Sequence, residues 1–296
     1  MNYLSGKLYE NTDSFLKICL FMSYQTQFPC FENTNVNSDI GWGCTIRTAQ
    51  MLLANTLLHH VLHDLEPVLS SQKMDIILQN LLTDFNDTHT NLFSIHQFIK
   101  YYPQIGKKIY QWCGPCSICQ LLEYLAPTMI QKYGITLLHN LPIQQIVPYK
   151  FTTSSFMVLF SIRIAIHTLN TLQQQELLRI MRIPQFIGII GGCHKSSYYF
   201  PGYSKKASGK VELLYLDPHI CQSYQSNINI QKYKITNLKV LDLHKLNPSL
   251  AAGFYCSNYL ELEKLYNFLE GSSIIDIITH ELPIQSKKDD DWEILC

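Results

Sequence analysis

A cysteine at the start of a long apolar run is the residue of this chain best suited to nucleophilic chemistry. Cys44 follows the turn Gly41-Trp42-Gly43 and precedes residues 45–65, which are predicted to form a helix that is buried nearly all round. A thiol in the first turn of a helix lies near backbone N–H groups without intrahelical acceptors, and their partial positive charge favours the thiolate. The two glycines leave the approach to the sulfur open for a substrate backbone. This position predicts a reactive thiol, whereas most buried cysteines are simply small hydrophobic residues.

The tripeptide Asp217-Pro218-His219 supplies a second group of side chains that suit catalysis. It follows residues 211–216, which are predicted to form a strand. Residues two apart on an extended chain point to the same side, so the carboxylate and the imidazole can face one cleft, and the proline stiffens the link between them. A thiol protease needs an imidazole that takes the thiol proton and a carboxylate that orients the ring. Because an Asp-Pro dipeptide also commonly begins a turn, the tripeptide alone leaves both interpretations open.

Composition limits the function classes. With 296 residues, the chain is long enough for one large domain or two small ones. Lysine plus arginine and aspartate plus glutamate number 23 each, so net charge provides no general attraction to nucleic acid. The first residues lack the apolar core of a signal peptide, and no apolar stretch is long enough to span a bilayer. We therefore expect a cytoplasmic protein whose ten cysteines are reduced.

Apolar periodicity divides the chain into a helical first part and a later part rich in strands. Helices are predicted at residues 11–27, 45–65, 70–82, 94–101, 114–125 and 172–181, with a last one that begins near residue 257 or 258. The helix at 94–101 opens on the capping-box pattern Ser94-Ile95-His96-Gln97. Strands are predicted at residues 135–138, 143–149, 156–164, 186–190, 197–203, 211–216, 240–243 and 274–284, and an apolar turn at 251–256. This order indicates an α+β domain with a largely antiparallel sheet.

Four motifs in this order closely resemble the autophagins, the cysteine proteases of autophagy. The first covers residues 39–51, and the second is Gln111-Trp112-Cys113-Gly114-Pro115. The third covers residues 214–219, and the fourth combines Pro248-Ser249 with Gly253-Phe254-Tyr255-Cys256. The resemblance extends from about residue 15 to residue 266. Four motifs in register are far more specific than any one of them.

The resemblance implies a papain-like cysteine protease fold with a small additional lobe, within a catalytic domain of residues 1–284. Carried over by position, Cys44 is the nucleophile, His219 is the base and Asp217 is its orienting partner. Tyr24 matches the family tyrosine whose hydroxyl joins the Cys44 backbone N–H in stabilising the oxyanion. Without the resemblance, we would interpret Tyr24 as an aromatic residue of the core.

The resemblance also implies the substrate, a ubiquitin-like autophagy modifier that is cleaved after its C-terminal glycine. Trp112 matches the tryptophan that covers the narrow channel for the glycine tail, and Gly43 belongs to the same channel. Release of the modifier from phosphatidylethanolamine needs no further residues, because peptide and lipid amides expose the same glycine carbonyl. The implied partners are the free precursor and the lipid-conjugated modifier, with transient peripheral membrane contact through the latter. No cofactor, metal or nucleic acid is implied.

The second motif also allows a different function. Trp112-Cys113-Gly114-Pro115-Cys116 is the active-site motif of thioredoxins, in which a helix-start cysteine attacks a substrate disulfide. A thioredoxin places this motif directly after an apolar core strand, whereas the sequence Gly-Lys-Lys-Ile-Tyr-Gln, residues 106–111, precedes it here. A disulfide oxidoreductase is therefore the alternative. A catalytically silent adaptor that binds the modifier is a further one, which Cys44, Asp217 and His219 disfavour.

The C-terminal tail has the composition of a docking peptide. Residues 285–296 contain a charge run and no core pattern, and we expect them to be flexible. Trp292 and Leu295 are three residues apart behind three aspartates, as in the modifier-interacting motif at the end of several autophagins. A segment of this kind can add as a strand to a partner's sheet edge, with these two side chains in pockets. We expect it to bind the modifier.

Overall fold

The computed structural model describes residues 1–63, 70–193, 195–275 and 277. The helices are α1 (Asp13–Ile18), α2 (Cys44–His63), α3 (Ser71–Thr83), α4 (Ile95–Lys100), α5 (Pro115–Tyr133), α6 (Thr171–Ile180) and α7 (Tyr259–Leu269). The strands are β1 (Asn2–Leu4), β2 (Lys7–Tyr9), β3 (Tyr24–Thr26), β4 (Ile135–His139), β5 (Ser155–Arg163), β6 (Phe186–Cys193), β7 (Ser196–Lys205), β8 (Val211–Leu216), β9 (Cys221–Ser223), β10 (Lys239–Asp242) and β11 (Ser249–Cys256). No helix in these described ranges has the length and apolar character needed to cross a membrane.

One large sheet organises the molecule, in the order β10-β8-β7-β6-β11-β5-β4, and the hairpin of β1 and β2 joins it beside β7. Apart from the parallel pair β4 and β5, its neighbouring strands are antiparallel. The predicted α+β class with a largely antiparallel sheet is confirmed. A second sheet consists of β3 and β9 in parallel, and it connects an N-terminal segment to the chain that follows β8.

Helices cover both faces of the large sheet, so its central strands are buried on both sides. In β5, Met157 and Leu159 pack in the cluster that contains α2 and α5, whereas Phe156, Val158 and Phe160 pack in the cluster that contains α6 and α7. This alternation follows from the period of two along a strand. A strand buried on both faces has a continuous apolar sequence instead of an alternating one.

Several predicted elements differ from the structure. The apolar segment 251–256 is not a turn but most of β11, which is central and buried on both faces. The predicted helix at residues 11–27 ends at Ile18, and Tyr24 lies on β3 instead. Residues 143–149 form short 3-10 helices, not a strand. Residues 143–149 and 251–256 are short apolar runs, in which periodicity alone does not identify the element.

The ends of several helices depend on their predicted caps. Ser70 accepts the backbone N–H of Lys73 at the start of α3, and Asn258 accepts that of Glu261 at the start of α7. Ser94 precedes α4 as predicted, but its hydroxyl donates to the Thr88 carbonyl, so the predicted capping box is wrong.

Of the predicted strand at residues 274–284, Ile274 and Ile275 lie outside any strand and most of the rest lies outside the described residues. The proposed boundary at residue 284 stays a prediction.

A buried ion network fixes the start of α2. Arg47 is 1% exposed, and its guanidinium contacts Asp39 (Nε to Oδ2, 2.7 Å) and Asp87 (Nη2 to Oδ2, 2.7 Å). Its remaining donor Nη1 contacts the Gln50 side chain at 3.0 Å. The carboxylates also accept backbone N–H groups, Asp39 from Gln25 at 2.7 Å and Asp87 from Ile95 at 3.0 Å. The network therefore joins α2 to the segments before α2 and before α4.

We predict that Arg47→Ala lowers the free energy of unfolding by about 3–5 kcal/mol, because it leaves two buried carboxylates without their cation. Chemical denaturation followed by circular dichroism measures this change. Lys264→Ala is the matched control, since Lys264 pairs with Glu261 on the surface of α7 and is 57% exposed. It should change stability by less than about 1 kcal/mol. Equal effects of the two substitutions would contradict the structural role of the buried network.

Candidate active site

The predicted nucleophile is the first residue of α2 and is 2% exposed. The preceding turn is held by the Asp39 carbonyl, which accepts the N–H groups of Gly43 at 2.9 Å and Trp42 at 3.3 Å. Gly41 has a φ of +86°, in the left-handed region that glycine adopts at little cost. The first N–H groups of α2, including that of Cys44, have no acceptor within the helix. The local sequence therefore places the sulfur among backbone donors.

Gly43 is constrained by packing as well as by its place in the predicted channel. A Cβ atom there would lie 2.5 Å from Oδ2 and 2.6 Å from Cβ of Asp39. No side chain fits while Asp39 keeps its contact with Arg47. Because this glycine lies against the buried carboxylate of Asp39, the turn packs directly on the ion network.

The structure brings together the three side chains that the sequence predicted as a triad. Nδ1 of His219 lies 2.6 Å from Oδ1 of Asp217, which also accepts the His219 backbone N–H at 3.1 Å. The same imidazole hydrogen-bonds to the sulfur of Cys44. These residues come from the start of α2 and from the loop after β8, 173 residues or more apart in the sequence. The arrangement can support nucleophilic attack by sulfur with the imidazole as its base.

The electrostatics of this site favour a charged sulfur. Burial raises the pKa of Cys44, but hydrogen bonds from the His219 side chain, the Ser197 backbone and the Trp112 side chain outweigh it, and the net pKa is lowered. Hydrogen bonds to Asp217 and Cys44 raise the pKa of His219 to about 9. The pKa of the thiol is lowered and that of the imidazole is raised, so both shifts favour the pair of thiolate and imidazolium.

Lys239 contributes to the site and was missed by the sequence analysis. Its Nζ lies 2.7 Å from Oδ2 of Asp217, the oxygen that His219 does not use. Burial raises the pKa of Asp217, but hydrogen bonds from His219 and Lys239 outweigh it and hold that pKa well below its usual range. Lys239 begins β10 and pairs with Tyr215 on β8. Only the register of this antiparallel pair reveals the contact, since the sequence shows Lys239 as one of many surface lysines.

Tyr24 lies beside the sulfur, as its proposed role requires. Its ring meets that of His219 edge to face at 5.2 Å between centroids, and its hydroxyl hydrogen-bonds to Cys44 and to the Gly41 backbone. Burial and the nearby thiol raise the pKa of Tyr24 well above its usual value, so the hydroxyl keeps its proton. The backbone N–H of Tyr24 donates to the Pro218 carbonyl at 2.9 Å. This bond and the β3–β9 pairing fix the tyrosine against the histidine loop.

The remaining predicted site residues have different placements. The Trp112 indole is half-buried just before α5 and close enough to the Cys44 sulfur to help lower its pKa. Cys113 is buried and Cys116 is exposed at the start of α5, but irregular chain precedes the motif where a thioredoxin has a core strand. The thioredoxin alternative is therefore not favoured. Trp292 and Leu295 lie outside the described residues.

Comparison with known proteins identifies the family of this chain. Residues 9–268 match the peptidase C54 catalytic domain. Over 248 residues the chain is 30% identical to a probable cysteine protease ATG4 of Scheffersomyces stipitis, covering 78% of this chain and 45% of that protein. It is 26% identical to cysteine protease ATG4D of Xenopus laevis (84% and 65% covered) and 28% identical to cysteine protease ATG4 of Candida albicans (94% and 63% covered).

The chain thus spans about half to two thirds of the length of these relatives. The family match covers most of the described residues, including Tyr24, Cys44, Trp112, Asp217 and His219. It also confirms the predicted fold class, because this family has the papain-like α+β fold. The chain belongs to the peptidase C54 family, the autophagins that its motifs resemble.

Proposed function

We propose that this chain is a cysteine protease of autophagy that cleaves after the C-terminal glycine of a ubiquitin-like modifier. One observation carries the proposal, namely a helix-start thiol hydrogen-bonded to an imidazole whose other nitrogen is 2.6 Å from a carboxylate. The relatives named as cysteine proteases support the same chemistry. The proposal includes both maturation of the modifier precursor and its release from phosphatidylethanolamine.

In the proposed acylation step, the Cys44 thiolate attacks the glycine carbonyl carbon and forms a C–S bond. The carbonyl π electrons move to oxygen, where the Tyr24 hydroxyl and the Cys44 backbone N–H stabilise the negative charge. The His219 imidazolium then donates its proton to the leaving nitrogen as the C–N bond breaks. A thioester to the modifier remains, and the amine leaves neutral.

Deacylation reverses the role of the imidazole. Neutral His219 takes a proton from water, whose oxygen attacks the thioester, and Cys44 leaves as thiolate beside the regenerated imidazolium. Asp217 holds the ring in the orientation that both steps need. Because the leaving amine departs in the first step, peptide and phosphatidylethanolamine conjugates give the same thioester and share the same deacylation step.

The same proposal assigns Trp112 and Gly43 to the channel for the glycine tail. The Trp112 side chain is close enough to the sulfur to help lower the pKa of Cys44, which fits a position over the approach to the nucleophile. Gly43 provides a wall without a side chain next to the nucleophile. The proposed site of action is the cytoplasm, with peripheral membrane contact through the lipidated modifier.

The first test uses a modifier that carries residues beyond its terminal glycine. The wild-type protein should trim it to the glycine, and Cys44→Ala should not, as measured by gel shift and mass spectrometry of the product. Reduction of insulin disulfides by Cys44→Ala would support the oxidoreductase instead. Binding of the modifier by the wild type without any cleavage would support the adaptor.

We predict that Tyr24→Phe lowers kcat for precursor cleavage by about 10²–10³-fold with little change in KM, because it removes one donor to the oxyanion. Tyr198→Phe is the matched control. Its ring also contacts the His219 imidazole, at 5.7 Å, but its hydroxyl hydrogen-bonds to Ser196. Steady-state kinetics of both variants measure the difference. A loss that is the same for the two tyrosines would remove Tyr24 from the oxyanion site.

The pKa of His219 should report its two partners. In Cys44→Ala, the His219 pKa should fall from about 9 towards its ordinary value, because the sulfur hydrogen bond that favours the imidazolium is lost. Asp217→Asn should lower it further, since Asp217 is the larger cause. NMR titration of the imidazole resonances measures both. An unchanged His219 pKa in both variants would contradict the proposed ion pair.

The C-terminal tail gives a separate prediction. Deletion of residues 287–296 should weaken binding of the modifier about tenfold while leaving cleavage of a short glycine-terminated fluorogenic peptide intact, because the tail contributes affinity and no catalytic group. Trp292→Ala with Leu295→Ala should reproduce the deletion, whereas substitution of Ser286 should not. Calorimetric titration with the modifier is the measurement, and equal affinity with and without the tail would refute the docking role.

A further inference from the structure

Two buried hydroxyl groups meet one helical turn beyond the proposed nucleophile. Thr48 is four residues after Cys44 on α2, so the two side chains share one face of the helix. Oγ1 of Thr48 lies 3.0 Å from Oγ of Ser197, the second residue of β7. Both residues are buried, so water does not compete for this contact. Neither hydroxyl takes part in the proposed acylation or deacylation.

This hydroxyl pair leaves neither proton without an acceptor. A hydroxyl has one proton, and that of Thr48 donates to the Thr45 carbonyl at 2.8 Å. The Ser197 hydroxyl therefore donates to Thr48, and its other acceptor, the Gly191 carbonyl, lies at the longer distance of 3.4 Å. Each hydroxyl thus keeps an acceptor of its own when the other is removed.

The backbone of Ser197 lies at an end of β7 that has a neighbouring strand on one side only. Ser197 is opposite Gly192 of β6, whereas pairing with β8 begins two residues later, at Tyr199. Among the described strands, none pairs with Ser197 on its other side. The hydroxyl contact with α2 is therefore a second restraint on this part of the backbone.

The N–H of the same residue reaches the proposed nucleophile. Burial raises the pKa of Cys44, and the hydrogen bonds that lower it come first from the His219 side chain and then from the Ser197 backbone. Thr48 and Cys44 are on one face of a rigid helix. A link from Thr48 to Ser197 thus fixes this N–H relative to the sulfur.

We propose that the hydroxyl pair of Thr48 and Ser197 positions the Ser197 backbone N–H as a donor to the Cys44 sulfur, an inference that rests on the proposed function. Both hydroxyls act through this N–H, so they are positioning groups and not catalytic ones. A fixed donor favours the thiolate, because a hydrogen bond to a charged atom is stronger than one to a neutral atom. Without the pair, the donor is held less closely and more of the thiol stays protonated at a given pH.

The hydroxyl pair can be changed without removing any charged or titratable group near the sulfur. Those groups are His219 and Asp217 after β8, Tyr24 on β3, Tyr102 after α4, and the ion pair of Asp39 and Arg47 beside the turn. A change in the titration of the thiol can therefore be assigned to the hydrogen bond that its sulfur accepts.

The test measures the apparent pKa of Cys44 from the pH dependence of its alkylation by iodoacetamide, followed by mass spectrometry of the peptide that contains it. Thr48→Val keeps the side-chain shape and removes the hydroxyl. It should raise this pKa by about 0.5 and so lower the alkylation rate about threefold on the acidic side. Ser197→Ala should give the same increase, and the double variant no more than either one, because all three remove one contact. Thr48→Ser keeps the hydroxyl and should titrate like the wild type.

Thr56→Val is the control for a general loss of packing. Thr56 is buried on the same helix, about 18 Å along its axis from Cys44, and its hydroxyl donates to the Leu52 carbonyl at 2.8 Å. It should lower the midpoint of chemical denaturation as Thr48→Val does, but leave the Cys44 pKa unchanged. An unchanged Cys44 pKa in Thr48→Val, or an equal increase in Thr56→Val or Thr48→Ser, overturns the inference.

Cleavage of the peptide-extended modifier provides a second measurement. The acidic limb of its kcat/KM profile should move to higher pH in Thr48→Val by the same amount as the alkylation profile, and stay in place in Thr56→Val. An acidic limb that does not move in Thr48→Val would overturn the inference, while cleavage by the wild type would still support the proposed function. Alkylation does not depend on cleavage, so a wild type that cleaves no modifier would refute the proposed function whatever the alkylation result.

Discussion

The structure depends most on the contact between Arg47 and two aspartates in the interior. A guanidinium without solvent is strongly destabilising unless it is paired and hydrogen-bonded, and here Asp39, Asp87 and Gln50 accept hydrogen bonds from all three of its nitrogens. The cost of breaking such a contact is high even where the pair adds little net stability. This asymmetry makes the network a positional constraint, because the segments that carry the aspartates can occupy one arrangement only.

Asp39 links the buried ion network to the residues of the proposed active site. Its carboxylate binds Arg47 and the Gln25 backbone, and its carbonyl holds the turn before Cys44. Gln25 neighbours Tyr24 on β3, so the same aspartate positions the proposed nucleophile and the proposed oxyanion donor relative to each other. The pairing of β3 with β9 then attaches the histidine loop. Segments that are distant in sequence thus share one rigid frame, which a site of fixed geometry requires.

The sequence analysis identified the side chains of the proposed site more completely than the residues that support them. Cys44 could be identified from its turn and helix, and the motif with His219 from its spacing and its resemblance to a family. The sequence analysis missed the supporting residues because their roles depend on contacts between segments that are distant in the sequence. Lys239 reaches the site through strand register, and the Arg47–Asp87 pair joins residues that no local pattern relates. Segment 251–256 was misassigned for a related reason, since burial on both faces removes the alternation that marks a strand.

The two anions around His219 oppose a requirement of the proposed reaction. Acylation needs an imidazolium that donates a proton, but deacylation needs a neutral ring, and a pKa of about 9 favours the first state. The thioester form has no thiolate beside the ring, so one of the two causes that raise this pKa disappears after acylation. The other cause is Asp217. Lys239 weakens its effect, because it binds the second oxygen of Asp217 and draws part of that negative charge away from the ring. The covalent intermediate itself therefore shifts the imidazole towards the neutral form that the second step uses.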